Sequence, residues 1–138
     1  MDKTIEASII ETVSACEAAI LTTIDGDYPE SRHILNILNS DARDLNLHFA
    51  TTKDSPKCMQ IAANPHVCLY YFNPENRHAV RLFGTMEVTQ ADAVRRKYWL
   101  DTWINFGYKE ALDPKFSILV FTPKKYKFYS PELKEGEV

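Results

Sequence analysis

The chain has 138 residues, 16 basic against 19 acidic side chains and a net charge of −3. One domain of this length buries a core without a disulfide or metal staple, and a composition of 45% hydrophobic and 25% charged residues is that of an ordinary globular protein. The acidic balance argues against the broad basic footprint of a nucleic-acid or anionic-membrane binder, and no apolar run approaches the ~20 residues of a membrane-spanning helix.

The N-terminus, MDKTIEASII, lacks the basic flank and apolar run of a secretory signal, so a cytoplasmic protein is expected. Cys16, Cys58 and Cys68 are odd in number and fit no zinc spacing, which points to free thiols. In chain order, Ile5, Ile9 and Val13 recur every four residues and predict an amphipathic helix over residues 4 to about 17. Ala19–Ile24 reads as a strand, Asp25-Gly26-Asp27 as a tight turn and Glu30–Leu38 as the return strand. Leu45, Leu47 and Phe49 alternate with polar or small residues up to Ala50, the two-residue period of a strand with one buried face.

That alternation stops at Thr51-Thr52-Lys53-Asp54-Ser55, and Ser55-Pro56 opens a helix that ends before Asn64-Pro65. A strand running through a hydroxyl-rich turn into a helix N-terminus, with Lys57 in its first turn, gathers the donors that a phosphate requires. The same residue types also close turns and cap helices with no ligand at all, and Lys57 alone is equally an ordinary solvated lysine. Further on, His66–Phe72 is apolar throughout and reads as a strand buried on both faces. Ala79–Val88 reads as a long strand with a bulge at Gly84. Asp92–Phe106 carries Tyr98, Trp99, Trp103 and Phe106 at helical spacings. Phe116–Phe121 and Lys125–Ser130 read as a final hairpin turned at Pro123, with residues 131–138 as a loose tail. About seven short antiparallel strands with three peripheral helices in a single domain, 1–138, predict a small, mainly β barrel.

The order of these parts resembles the FMN-binding split β-barrel of the pyridoxamine-phosphate-oxidase-like family. The likeness rests on the hairpin with Arg32 in its return strand and on FATTKDSPK, IAANP, HVCLYYF and RLFGTMEV; it spans roughly residues 15 to 130 and is nearest the short general-stress-protein members. It implies a homodimer with FMN in a groove between subunits. The resemblance puts the FMN phosphate on Arg32, Thr51, Ser55 and Lys57, and the flavin ring along the second and third strands beside His33, Ile34, Ala50 and Thr52. Among the aromatic residues, Trp103 is the candidate neighbour of the ring, against the simpler reading of a core or interface side chain.

The departures from the oxidase itself are also specific. Ile37 and Ala79 stand where it carries lysine and glutamine, Pro56-Lys57 where it carries Arg-Lys, and nothing in residues 131–138 supplies its basic C-terminal motif. The expected function is therefore an FMN-dependent oxidoreductase acting on an unidentified small-molecule substrate or electron donor, rather than pyridoxamine-phosphate oxidation. The alternative is a non-catalytic protein that binds or senses a flavin, a deazaflavin or haem on the same barrel; His33 and His48 are candidate general acids or haem ligands, against the simpler reading of structural strand histidines. An oligonucleotide-binding barrel is disfavoured by the acidic balance.

Overall fold

A computed structural model describes all residues, 1–138. The chain runs α1 (Lys3–Ala15), β1 (Ala18–Asp25), β2 (Tyr28–Leu35), a 3₁₀ turn (Ile37–Asn39), β3 (His48–Thr52), α2 (Pro56–Ala63), β4 (His66–Asn73), β5 (His78–Thr89), α3 (Asp92–Lys97), a 3₁₀ segment (Asp101–Phe106), β6 (Phe116–Tyr129) and β7 (Leu133–Glu137). Asp2 caps α1 by accepting from the amides of Thr4 and Ile5 at 2.7 and 3.1 Å. The β1–β2 turn needs one residue at positive φ, and Gly26 takes it at 60°.

All strand pairs are antiparallel, in the order β2-β1-β4-β5-β6-β3, with β7 added to β6. The sheet curls until β2 and β3 approach each other without pairing, so the barrel is split along that seam. Twenty buried side chains fill the interior, from Ile9 and Val13 of α1 through Leu21, Phe49, Leu69, Tyr71, Leu82 and Phe121 to Cys58 and Ile61 of α2. The curl has a local cause at Gly84. It lies opposite Pro123 where the β5–β6 register shifts, and a Cβ there would stand 2.1 Å from the carbonyl oxygen of Thr122.

Several sequence expectations change here. The predicted hairpin at Pro123 is one continuous strand, β6, because the proline sits at the bulge, where its missing N–H leaves no ladder bond unmade. Residues 131–138 are not a loose tail: Leu133–Glu137 pairs with Tyr129–Lys125 as a charged edge strand. β4 is buried on one face only, through Val67, Leu69 and Tyr71, while Cys68, Tyr70 and Phe72 lie on the outer face. The helix expected over 92–106 is broken after Lys97, and its aromatic residues wrap the outside of β3 and β6 instead. Leu45 and Leu47 are buried as predicted but precede the strand, which begins at His48 and continues through Thr51 and Thr52.

Candidate functional site

The site is built where α2 meets the inner face of β1 and β2. Arg32 faces inward beside Leu21 and is held on three sides. Its Nη1 donates to the Leu21 carbonyl at 3.2 Å and to Thr23 Oγ1 at 2.7 Å, and its Nη2 donates to Gln60 Oε1 at 2.9 Å. Thr23, fully buried, donates its own hydroxyl to Gln60 at 2.6 Å. Glu30 lies 3.6 Å from Nη2 at the solvent edge and accepts from Gln60 Nε2 at 3.3 Å. Lys57 and Gln60 are three residues apart and share a face of α2, so the ammonium and the guanidinium end side by side. Burial above all holds the Lys57 pKa below the ordinary lysine value; the neighbouring Cys58 opposes it, and Arg32 adds a smaller depression.

Ser55 stands at the N-cap of α2 but bonds none of its amides. Its hydroxyl accepts from Lys57 Nζ at 3.4 Å instead, and Pro56 has no N–H to satisfy. Asp54 at φ 64° makes the turn that aims this helix end outward. Two cations, an uncapped helix N-terminus and the Ser55 hydroxyl, whose oxygen accepts from Lys57, therefore converge, with one half-exposed carboxylate at the rim. This corner has the chemistry of an anion site.

The seam supplies a second feature. Asn39 bonds both the N–H and the C=O of His48, at 3.0 and 2.9 Å, so these groups point away from β6; by alternation the backbone groups of Ala50 and Thr52 point the same way. On β2, the Asn36 amide bonds Glu17, which turns the backbone groups of Ser31 and His33 toward the open edge. Unpaired backbone donors and acceptors of His33 and Ala50, and the N–H of Thr52, thus face the split, while the Thr52 carbonyl accepts from the Ser55 N–H at 3.2 Å.

The predicted site residues separate into groups. Arg32, Ser55 and Lys57 come together. Thr51 does not join them: it belongs to β3, points inward with 3% exposure, and its hydroxyl contacts Cys58 Sγ at 3.7 Å. Ile34 is likewise a core side chain. The His33 side chain is exposed on the outer face of β2, opposite to Arg32. Ala50, Thr52 and Trp103 form a cluster on the outer face of β3. There Thr52 and Tyr108 share a short hydroxyl–hydroxyl bond, and Ala50 packs against the cluster of Trp103, Tyr108, Phe116 and Ile118, in which the buried Trp103 donates its indole N–H to the Tyr98 carbonyl at 3.1 Å. Trp103 is thus a packing residue, without an open ring face. His48 stacks on Tyr98 with ring centroids 4.3 Å apart; burial first, then Lys97, lowers its pKa. No cluster of three metal-ligating side chains is present. Thr23, Glu30, Gln60 and Tyr108 went unpredicted. Of these, only Gln60 carried a usable signal, its position one turn beyond Lys57.

A curled antiparallel sheet with an open seam defines the split-barrel class, and solved structures agree. A protein from Clostridium acetobutylicum related to general stress protein 26 of B. subtilis (pyridoxinephosphate oxidase family) superposes with a TM-score of 0.84 at 18% identity, covering 100% of this chain and 97% of that one. A pyridoxamine 5'-phosphate oxidase-related, FMN binding protein from Nostoc punctiforme gives 0.69 at 14% identity, with 99% and 95% covered. An F420 reductase gives 0.63 at 19% identity, with 84% and 93% covered. No curated protein sequence is significantly similar to the chain. The family model for pyridoxamine 5'-phosphate oxidase like proteins matches residues 5–134, and the chain belongs to that family.

Proposed function

We propose that this protein binds FMN, with the phosphate at the Arg32–Lys57 corner and the ring along the seam between β2 and β3, and that it works as a small oxidoreductase. The observation that carries the reading is the convergence of Arg32 and Lys57 at an uncapped helix N-terminus. A phosphate monoester is a dianion near neutrality, and two adjacent cations with free amides suit it better than a carboxylate or a neutral group. The residues present fit the cofactor. Arg32, held by Thr23 and Gln60, presents its remaining edge without reorganisation, and Lys57 is restored to full charge by an anion beside it. The backbone groups of His33 and Ala50 and the N–H of Thr52 suit the polar rim of a flavin. When bound, FMN supplies electron or hydride transfer; the chain's part is to bind, orient and tune it.

A dimer belongs to this proposal. Exposed apolar side chains lie on α2, at Met59, and on the 3₁₀ segment outside β3, at Ile104 and Phe106, and a second copy would cover them. The similarity in fold to an F420 reductase supports one other reading, a deazaflavin in the same seam. Visible absorption of the purified protein separates the cofactors. A flavin band supports the proposal, a Soret band replaces it with haem, and turnover with a reduced nicotinamide distinguishes an enzyme from a carrier.

A further inference from the structure

Residues 107–115, GYKEALDPK, join the 3₁₀ segment to β6 with no regular structure of their own, yet they are firmly fastened. The Asp113 carboxylate accepts from the amides of Lys109 and Lys115, each at 2.9 Å. Arg95 of α3, 8% exposed, donates to the Asp113 carbonyl at 3.2 Å and pairs with Asp92 at 3.2 Å, and Gln90 donates to the Pro114 carbonyl at 2.7 Å. A buried guanidinium is costly, and the Nε of this one has no partner at all; yet it holds nothing but the backbone of a loop.

What this fastening positions is Tyr108. Gly107, at φ 96°, turns the chain out of the 3₁₀ segment; the phenol ring is buried edge-on to Phe116, with centroids 5.1 Å apart, and its hydroxyl bonds Thr52. Thr52 is the exposed last residue of β3. Its carbonyl is already occupied, by the Ser55 N–H at 3.2 Å and the Cys58 thiol at 3.5 Å, while its N–H faces the seam. Of the two hydroxyls the phenol is the stronger acid and is assigned as the donor, which leaves the Thr52 proton with no acceptor in the protein. Thr52 therefore offers two donors, N–H and O–H, and no free backbone acceptor.

Resting on the FMN reading above, we infer that Tyr108, acting through Thr52, is a positioning residue that favours the reduced cofactor. Reduction by two electrons, with one proton taken from water, adds one negative charge to the ring system, and hydrogen bonds to an anion are about twice as strong as those to a neutral acceptor. The phenol's hydrogen bond polarises the Thr52 hydroxyl and turns its proton away from Tyr108. The donor is thus aimed before the charge appears.

The test is the anaerobic affinity of the parent, Tyr108→Phe, Thr52→Val and Thr52→Ser for oxidised and for dithionite-reduced FMN. The ratio of the two affinities sets the potential of the bound cofactor, and a merely structural role weakens both forms alike and leaves that ratio unmoved. The ratio is expected to turn against reduced FMN by about tenfold in Thr52→Val, a potential lower by ~30 mV, and by about threefold in Tyr108→Phe. Thr52→Ser, which keeps the hydroxyl, is expected to hold the parent value. The same ratio in every variant overturns the inference, while FMN binding itself, and the phosphate corner with it, stands. A shift in Thr52→Val with none in Tyr108→Phe also overturns it, since the tyrosine is then a packing residue. No binding of either form by the parent removes the FMN reading and this inference together.

Discussion

Arg32 on β2 and Gln60 on α2 are joined by a 2.9 Å hydrogen bond that crosses from the sheet to the helix. This bond, with the one to Thr23, fixes the guanidinium beside Lys57, so the proposed anion site is assembled before any ligand arrives. Replacing Gln60 with Leu keeps the helix but releases one side of Arg32. FMN affinity in a fluorescence-quenching titration is expected to fall by about tenfold, the equivalent of ~1.4 kcal/mol, with riboflavin affinity unchanged.

In the proposed site, Lys57 makes phosphate binding sensitive to alkali. Its pKa in the free site is depressed by burial and by Arg32, and a bound dianion raises it again, so the anion binds the protonated lysine more tightly. The Lys57 contribution is fully present below the depressed pKa of the free site and is lost as pH rises from there through the higher pKa of the anion-bound site. On the acid side, affinity falls as the phosphate loses its second charge near pH ~6. Lys57→Arg, which stays charged, is expected to remove the alkaline limb of an FMN affinity profile and leave the acid limb.

Asn36 ties α1, β3 and β4 together. Its amide donates to the carbonyls of Val13 and Cys16 at 2.8 and 3.0 Å, and its oxygen accepts from Tyr71 at 2.8 Å and Asn39 at 3.0 Å. Asn36→Leu strands the fully buried Tyr71 hydroxyl, and a loss of about 3–4 kcal/mol is expected in urea unfolding. Tyr71→Phe removes the stranded group itself, and a milder loss of about 1 kcal/mol is expected.

Gly84 is the other point on which the barrel depends. Any side chain there meets the Thr122 carbonyl and the Phe121 ring, so Gly84→Val is expected to cost more than about 3 kcal/mol or prevent folding, and Gly84→Ala somewhat less. Thermal melting of the two variants beside the parent checks the order.

Much of this architecture is legible in the chain because particular residues have few conformational options. Gly26 announces the first hairpin, Ser55-Pro56 and Asn64-Pro65 bracket α2, and Gly84 marks the bulge. Pro123 misleads for a related reason: a proline reads as a turn unless the bulge opposite it is already known, and that bulge depends on a residue 39 positions away. The β7 segment is too charged to announce a strand, since its hydrogen bonds come from the edge of β6 rather than from its own side chains. At the site, the strand-to-helix turn points to Ser55 and Lys57 and the family resemblance supplies Arg32; the structure brings the three side chains together. Thr51 was misplaced because hydroxyls look like a turn, whereas β3 continues two residues further and alternation turns that side chain inward. Thr23 and Gln60 are single polar residues whose meaning appears only when β1, β2 and α2 meet.

The most direct measurement compares equilibrium binding of FMN and riboflavin, which differ only in the phosphate, to the parent protein and to Arg32→Ala/Lys57→Ala. The account predicts that FMN binds the parent at least about a hundredfold more tightly than riboflavin, as two charge-assisted contacts imply, and that the double variant, still folded, binds the two equally. Equal affinity of FMN and riboflavin for the parent, or a preference for FMN that survives in the double variant, would contradict it.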